Sequence, residues 1–83
     1  MDTRQLQAFC EVVERRSFSQ AAERLGVTQP AVSLQLRSLE KRLGVRLLRR
    51  TSRETSPTAI GLRIVAHARR VLTEVEPGIA LNF

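Results

Sequence analysis

The stretch that decides the fold is Ser17-Phe-Ser-Gln-Ala-Ala-Glu-Arg-Leu-Gly-Val-Thr-Gln-Pro-Ala-Val-Ser33. Ser17 is a favourable N-cap for a short helix, and Gly26 can end that helix in the left-handed conformation that side chains resist. Thr28 has the character of a second cap, and Pro30 falls in the following first turn, where its missing N–H costs nothing. Two helices joined by so sharp a turn predict a helix-turn-helix.

A further helix is predicted before this stretch. Asp2-Thr-Arg-Gln5 has the capping-box arrangement, and four apolar residues follow at helical spacing, Leu6, Phe9, Cys10 and Val13. We expect a helix from about Thr3 to Arg16. Cys10 is the only cysteine, which excludes an internal disulfide and a cysteine-cluster metal site. Its place on the apolar face favours a small core residue over a reactive thiol.

The helix after the turn is predicted to span about residues 28–43 and to have two faces. One apolar stripe should be buried: Val32, Leu36, Leu39 and Leu43. The outward positions are Pro30, Ser33, Leu34, Arg37, Ser38 and Lys41. Leu34 points away from the stripe, so it is either an ordinary exposed side chain or an apolar reader of a thymine methyl group.

A wing is predicted between this helix and the last one. Gly44 ends the helix, Val45 to Thr51 has the pattern of a short strand, and Ser52-Arg-Glu-Thr55 that of a turn. Ser56-Pro57 forms the exit, and Pro57 limits the returning strand to an edge or a single bridge. An irregular basic loop is the alternative.

Thr58-Ala-Ile-Gly61 predicts the start of a last helix, which reaches about residue 76 because Pro77-Gly78 breaks it. Its apolar residues form two groups. One is Ile60, Ile64, Val71 and Val75; the other is Leu62, Val65, Ala66 and Leu72. We expect the second group to pack on the domain and the first to meet a second subunit, unless both form a single broad face.

The expected organisation is a winged helix-turn-helix domain over residues 1–57, a linker and dimerisation helix over 58–77, and a frayed tail over 78–83. Hydrophobic residues make up 42% of the 83, which is ordinary for one small globular domain. No apolar run approaches the ~20 residues of a membrane span, and no signal-peptide pattern opens the chain. These features predict a soluble, cytoplasmic protein.

Charge is the most informative property of the composition. Fourteen basic residues stand against eight acidic ones, and only Lys41 among the basic residues is a lysine. The planar guanidinium group of arginine binds phosphate and guanine with two hydrogen bonds, so this composition favours a protein that binds nucleic acid. The alternatives are a soluble basic protein with no such partner and a protein that touches an anionic membrane. Between Arg37 and Arg53 the only acid is Glu40, so the charge is concentrated as in an electrostatic footprint.

Nothing in the sequence indicates an enzyme. The single histidine, His67, has arginines around it and no nucleophile or carboxylate pair placed to work with it, so a surface or interface role is favoured. A glycine loop that could cradle phosphates is absent. We expect no catalytic residue, metal or cofactor. The alternative from a different class is a protein-interaction module whose basic helix binds an acidic partner.

Several segments together resemble the N-terminal domain of LysR-type transcriptional regulators. They are Leu6-Gln-Ala-Phe9, residues 17–25 and 27–33 of the opening stretch, residues 39–48, Arg50-Thr51 and Thr58-Ala-Ile-Gly61. The most specific part is Ala-Ala-x-x-Leu followed at fixed spacing by Thr-Gln-Pro-Ala-Val-Ser. The resemblance covers residues 1 to about 76 without a gap. Molybdate-responsive regulators, which carry a similar winged domain, are the nearest rival family.

The resemblance implies a mainly α fold, a winged helix-turn-helix of three helices plus a short β wing, followed by a long linker helix. It implies a homodimer that places two recognition helices in successive major grooves of an interrupted inverted repeat in double-stranded DNA. Family residues that meet base edges or nearby phosphates match Gln29, Pro30, Ala31, Ser33 and Leu34. The residue that matches Arg53 reaches into the adjacent minor groove.

The chemistry of these side chains agrees with that assignment. The Gln29 amide matches adenine N6 and N7, and the helix N-terminus at Thr28 suits a phosphate. Ser33 can serve either a base or the backbone. Arg53 fits the negative potential of a narrow A·T-rich minor groove. Three further cations are expected to anchor phosphates without reading sequence: Arg37, Lys41 and Arg50.

The chain also departs from the family pattern. Many relatives carry a basic or polar residue where Leu34 stands, so we expect the contact of this side chain with a base to be apolar here. Many relatives also have Phe-Glu in place of Leu48-Arg49, so the first strand of the wing is more cationic in this chain. Family members continue into an effector-binding domain of two α/β lobes, which these 83 residues do not include. We therefore expect a fragment or a truncated regulator that does not itself sense a small-molecule effector.

Overall fold

The structure is a computed structural model that describes residues 3–50 and 54–75. Within these residues, the elements in chain order are α1 (Thr3–Arg15), α2 (Phe18–Leu25), α3 (Gln29–Leu43), β1 (Leu48–Arg50), β2 (Thr55–Pro57) and α4 (Ala59–Val75). This order confirms the predicted winged helix-turn-helix followed by a long helix. The predicted cap at Asp2, the wing tip at 51–53 and the tail at 78–83 lie outside the described residues.

The turn between α2 and α3 forms as the sequence predicts. The Ser17 hydroxyl accepts a hydrogen bond from the Gln20 N–H at 3.1 Å, and the Thr28 hydroxyl accepts one from the Ala31 N–H at 3.2 Å. Each cap satisfies an N–H that the first turn of a helix leaves without a partner. Gly26 has φ +70°, the left-handed conformation that ends α2 and redirects the chain into α3.

The main core lies between α1, α2 and α3 and extends under the wing. Phe9 is fully buried at its centre, and all four residues of the predicted α3 stripe face it, with Leu43 only partly buried. Complete burial of each large side chain contributes about 1.5–3 kcal/mol. The buried members are Ala8, Phe9, Val12, Phe18, Ala21, Ala22, Val32, Leu36, Leu39, Leu47, Leu48 and Val65.

The wing is a two-stranded antiparallel ribbon. Its register pairs Leu48 with Pro57 and Arg50 with Thr55. Pro57 therefore lies in an edge strand, as expected. The prediction that Thr55 belongs to the turn is wrong, because Thr55 is the first residue of β2. The prediction of a strand from residue 45 is also wrong, because β1 begins only at Leu48.

A carboxylate explains why the strand starts late. Glu40 on α3 accepts hydrogen bonds from the backbone N–H groups of Leu47 and Leu48 at 2.7 and 3.2 Å. The Leu47 carbonyl oxygen in turn accepts from the Thr58 N–H at 3.0 Å. The backbone groups of Leu47 are thus bound to α3 and to the start of α4, and they take no part in the β ribbon.

The start of α4 is fixed by the Thr58-to-Gly61 motif. The Thr58 hydroxyl donates to the Arg46 carbonyl oxygen at 2.6 Å and accepts from the Gly61 N–H at 3.0 Å. A Cβ at Gly61 would collide with the carbonyl oxygen of Leu47. The first turn of α4 therefore packs directly on the backbone that precedes β1, which requires glycine at this position.

The face of α4 that packs on the domain differs in part from the prediction. Val65, Ala68 and Leu72 are buried, the last two in a second small core with Leu6 and Cys10 of α1. By contrast, Leu62 is 57% exposed and Ala66 is exposed, so neither packs on the domain. The buried apolar side chains of α4 therefore form a stripe of Val65, Ala68 and Leu72. No helix in the described part of the chain is long and apolar enough to cross a membrane.

Candidate nucleic-acid interface

The outer face of α3 is exposed along its whole length. Gln29, Pro30, Arg37 and Lys41 are exposed, and Leu34 is 65% exposed despite its apolar side chain. The cap residue Thr28 is exposed at the same end of the helix. The structure therefore gathers most of the predicted contact residues on one accessible surface.

Ala31 and Ser33 lie at opposite edges of that surface, and both are half-buried. Ala31 faces a shallow groove towards α1 that Arg4 and Val27 also line. Ser33 lies on the other side, towards the wing. Of the two, Ser33 continues the polar surface, whereas Ala31 borders an apolar one.

A cleft separates α3 from the wing, and we call it the wing cleft. Its lining residues are Phe18, Ser33, Leu36, Arg37, Glu40, Arg46, Leu48 and Arg50. The guanidinium carbon of Arg50 lies 3.8 Å from the centre of the Phe18 ring, a cation–π contact that holds the cation beside the helix-turn-helix. Three arginines around one cleft give a positive potential suited to a phosphate oxygen.

Glu40 has a role that the sequence did not reveal. It is the single acid in the basic segment, and its carboxylate binds the wing backbone as described above, with the Arg46 Nε 4.0 Å away. The recognition helix and the wing are thereby joined through one side chain. The only signal in the sequence was an acid in an otherwise basic run, and that signal does not identify the bonded backbone groups.

Ser19 is a second residue that sequence reasoning missed. Its hydroxyl donates a hydrogen bond to the Gln29 Oε1 at 3.0 Å, across the turn from α2 to α3. Both side chains are exposed. The amide that is predicted to read a base is therefore bonded to α2 through its oxygen.

Three ion pairs in the described part of the chain involve the acids Glu11 and Glu14 of α1. Glu11 is buried on α1, and its carboxylate lies 3.4 Å from the Arg15 Nε and 3.9 Å from the Arg24 Nε on α2. Glu14 of α1 pairs with Arg69 of α4 at 3.2 Å. The Glu11–Arg24 pair links α1 to α2, and the Glu14–Arg69 pair links α1 to α4.

The thiol of Cys10 is fully buried between α1 and α4. Burial raises its pKa to about 11, with Arg69 acting to lower the pKa and Glu11 to raise it. A thiol with so high a pKa is neutral at physiological pH and is a poor nucleophile. The prediction that Cys10 is a core residue is confirmed.

A largely apolar groove runs along α4, and we call it the α4 groove. Its lining residues are Leu6, Leu43, Ile60, Arg63, Ile64, His67, Ala68 and Val71. Three of the four predicted dimerisation residues share this groove; Ile60 is 41% exposed, whereas Ile64 and Val71 are half-buried against the domain. The Val75 side chain lies outside the described part. His67 is exposed at the rim, as predicted.

No cluster of three His, Cys, Asp or Glu side chains that could hold a metal ion occurs among residues 3–50 and 54–75. The interface described above combines hydrogen-bonding side chains, cations and the exposed Leu34. Their arrangement offers hydrogen bonds, positive charge and apolar contact along α3 and the adjoining wing cleft.

Comparison with known proteins identifies the family. Residues 3–62 match the model of the bacterial regulatory helix-turn-helix proteins of the lysR family. The chain is 43% identical over 81 residues to the HTH-type transcriptional regulator AlsR of Bacillus subtilis (strain 168), covering 98% of this chain and 27% of AlsR. It is 46% identical over 76 residues to the hydrogen peroxide-inducible genes activator of Pectobacterium carotovorum subsp. carotovorum, covering 92% of this chain and 25% of that protein.

Solved structures agree with the sequence relatives. The CbnR DBD–DNA complex superposes with a TM-score of 0.89 at 40% identity, covering 94% of this chain and 90% of that chain. The BenM DBD complex with benA site 1 DNA gives a TM-score of 0.87 at 36% identity, covering 99% and 92%. This chain spans about a quarter of the length of AlsR and of the peroxide-inducible activator. The chain belongs to the LysR family of bacterial regulatory helix-turn-helix proteins, as a LysR-type DNA-binding domain.

Proposed function

We propose that this domain reads a specific operator in double-stranded DNA as the DNA-binding segment of a cytoplasmic transcriptional regulator and has no enzymatic activity. The observation that carries the proposal is the exposed outer face of α3, which continues without interruption into the basic wing cleft. A helix of this size fits the major groove, and the wing then lies over the adjacent minor groove. The similarity to the CbnR and BenM domains, which were solved in complex with DNA, supports binding to DNA.

Within α3, we assign base readout to three side chains. Gln29 offers an amide for adenine, Ser33 a hydroxyl at the edge of the wing cleft, and Leu34 an apolar contact for a thymine methyl group. Pro30 and Ala31 lie in the first turn of α3, and their small side chains allow the helix to approach the bases and sugars closely. Thr28 and the free N–H groups of that turn suit a phosphate oxygen.

Three cations are assigned to the DNA backbone rather than to the bases. Arg37 and Arg50 line the wing cleft, and Lys41 lies one turn beyond Arg37 on the exposed face of α3. Contacts of this kind orient a protein on the duplex without reading its sequence. Arg53 follows β1 in the sequence and lies outside the described residues; we assign it to the minor groove.

We further propose that two copies bind an interrupted inverted repeat. The α4 groove supports this assignment, because it exposes apolar surface, including Ile60, on the helix that follows the winged domain. A second copy of α4 would cover Ile60, Ile64, Val71 and Val75. The boundary at residues 57/58 then separates the DNA-reading unit from the dimerising helix, although α4 also packs on α1.

The first experiment selects an operator from a random pool of duplex DNA, maps it by footprinting and measures affinity at several salt concentrations. Contacts with several phosphates predict that log affinity falls steeply and linearly with log salt, by about 0.9 per phosphate neutralised. Binding to random duplex should remain measurable at low salt. If the protein binds no duplex even at low salt, the proposal is wrong, and a module that binds an acidic protein would replace it.

The assignment of Gln29 is tested by Gln29→Ala. This change should cost roughly 1–3 kcal/mol on the selected operator and relax discrimination at one base pair. Affinity for random duplex should stay close to that of the unmodified protein, because the side chain carries no charge. Fluorescence anisotropy with both DNAs measures the two effects; equal losses on operator and random duplex would contradict the assignment.

A further inference from the structure

Ser19 and Gln29 form a hydrogen bond between the two helices of the helix-turn-helix. Ser19 is the second residue of α2, Gln29 is the first of α3, and the Ser19 Oγ donates to the Gln29 Oε1 at 3.0 Å. The Gly26 turn and the buried Ala21 and Ala22 set the position of α2 relative to α3. The relative position of the two side chains is thus set by the core.

The chemistry of the bond determines which end of the amide is available. A glutamine amide has two acceptor positions on oxygen and two N–H donors on nitrogen. The Ser19 hydroxyl occupies one acceptor position, so Gln29 keeps both donors and one acceptor position. A donor directed into the major groove meets acceptors on several bases: adenine N7, guanine N7 and O6, and thymine O4.

We propose that Ser19 is a positioning residue that fixes the orientation of the Gln29 amide for base readout. This inference rests on the proposed function of Gln29 as a base reader. Without the hydroxyl, the exposed amide rotates about its terminal bond and presents oxygen and nitrogen to the groove alternately. In the wrong orientation its oxygen faces base acceptors, and the ordering of a long, free side chain then opposes binding.

Ser19→Ala removes the hydroxyl and leaves the exposed surface of α2 otherwise unchanged. We expect its affinity for the selected operator to fall by about two- to ten-fold, the range of one neutral hydrogen bond. Its affinity for random duplex should not change. Selection with the variant should give a broader base preference at the pair that Gln29 reads, a change that a purely structural role for Ser19 would not produce.

Two further variants separate positioning from other roles. Ser19→Thr retains a hydroxyl at the same place and should restore both affinity and base preference. In a Gln29→Ala background, Ser19→Ala should have no additional effect, because the partner that it orients is gone. Circular dichroism and thermal melting of each variant verify that the helix content and the melting temperature are unchanged.

Each alternative result contradicts the inference in a distinct way. Equal losses on operator and random duplex would show that the Ser19 hydroxyl binds a phosphate. A loss that persists in the Gln29→Ala background would show a base contact independent of Gln29. If Gln29→Ala impairs the operator but Ser19→Ala does not, Gln29 reads the base without help, so the proposed function stands and the positioning role is wrong.

Discussion

Arg50 combines a fixed position with an exposed charge. Its stacking on Phe18 and its place in the wing cleft direct the guanidinium towards the proposed DNA backbone. Arg50→Ala should therefore weaken operator and random duplex about equally and reduce the slope of log affinity against log salt by about one unit. Salt titrations by fluorescence anisotropy measure both quantities. Arg70→Ala, an exposed cation on α4, is the charge-matched control.

The Arg50 prediction has a clear contrary outcome. A loss on the operator alone, with the salt slope unchanged, would make Arg50 a base reader rather than a phosphate anchor. If Arg70→Ala changed the slope equally, the effect would come from net charge and not from the wing cleft.

Cys10 gives a residue-level prediction about pH and reactivity. Its pKa rises from an ordinary value of 9.0 to about 11 in the folded protein, so between these values the unfolded chain releases a proton that the folded chain keeps. The contribution of the neutral thiol is complete below pH 9.0 and is lost as pH rises towards about 11. Denaturant titrations should therefore show that the stability of the protein relative to Cys10→Ala falls as pH rises from 9.0 to about 11.

Thiol labelling provides the second measurement for Cys10. At neutral pH the buried thiol should react with an aromatic disulfide reagent only as fast as the protein opens. Addition of denaturant should release full reactivity. Rapid labelling of the folded protein would contradict the burial of Cys10 between α1 and α4.

At the scale of secondary structure, α4 depends on a glycine. The carbonyl oxygen of Leu47 occupies the space that a Cβ at Gly61 would need. Gly61→Ala should destabilise the domain by about 1–3 kcal/mol through overpacking, although alanine is the better helix former by about 1 kcal/mol. The free energy of unfolding, from urea denaturation, measures the net effect. Ala66→Gly, at an exposed position of α4, gives the propensity difference by itself.

The sign of the Gly61→Ala result is decisive. Stabilisation would mean that α4 starts free of the backbone before β1 and that helix propensity controls the outcome. Any destabilisation supports the close approach, and adding the cost of Ala66→Gly to it gives the full penalty of the collision with Leu47. The same approach places the Thr58 hydroxyl on the Arg46 carbonyl oxygen, so the start of α4 and the start of the wing are fixed together.

At the scale of the whole molecule, the α4 groove should control assembly. Ile60→Glu places a charge in this groove at a side chain that is already 41% exposed, so the fold should be retained. Loss of pairing should reduce affinity for a two-half-site operator on the order of 100-fold, because the second half-site is no longer bound intramolecularly. Binding to a single half-site should be unchanged. Sedimentation velocity in the presence of DNA measures the oligomeric state.

Leu62→Glu is the matched control for the groove. Leu62 is 57% exposed on the same helix but lies outside the lining of the α4 groove. The proposed interface predicts that this variant still pairs. If Leu62→Glu dissociates the dimer and Ile60→Glu does not, the subunits meet through another face of α4.

Local signals in the sequence account for most of the fold. Caps at Ser17 and Thr28, the left-handed position at Gly26 and the apolar stripe of α3 depend on residues within one or two turns, so the sequence alone determined them. The exposed face of α3, which carries residues predicted to contact DNA, follows from the same stripe because it lies on the opposite side of the helix. The residues of the helix-turn-helix motif, at their fixed spacing, also indicated the protein family.

Only the tertiary structure decided which groups meet across the turns. Glu40 binds the backbone before β1, Ser19 binds Gln29, and Val65 rather than Leu62 packs on the core. The residues in each bond lie on different elements, and their distance depends on how closely the helices cross. Periodicity gives the apolar faces of α4, but the way α4 packs against α1 and the main core determines that the stripe of Val65, Ala68 and Leu72 is the buried one.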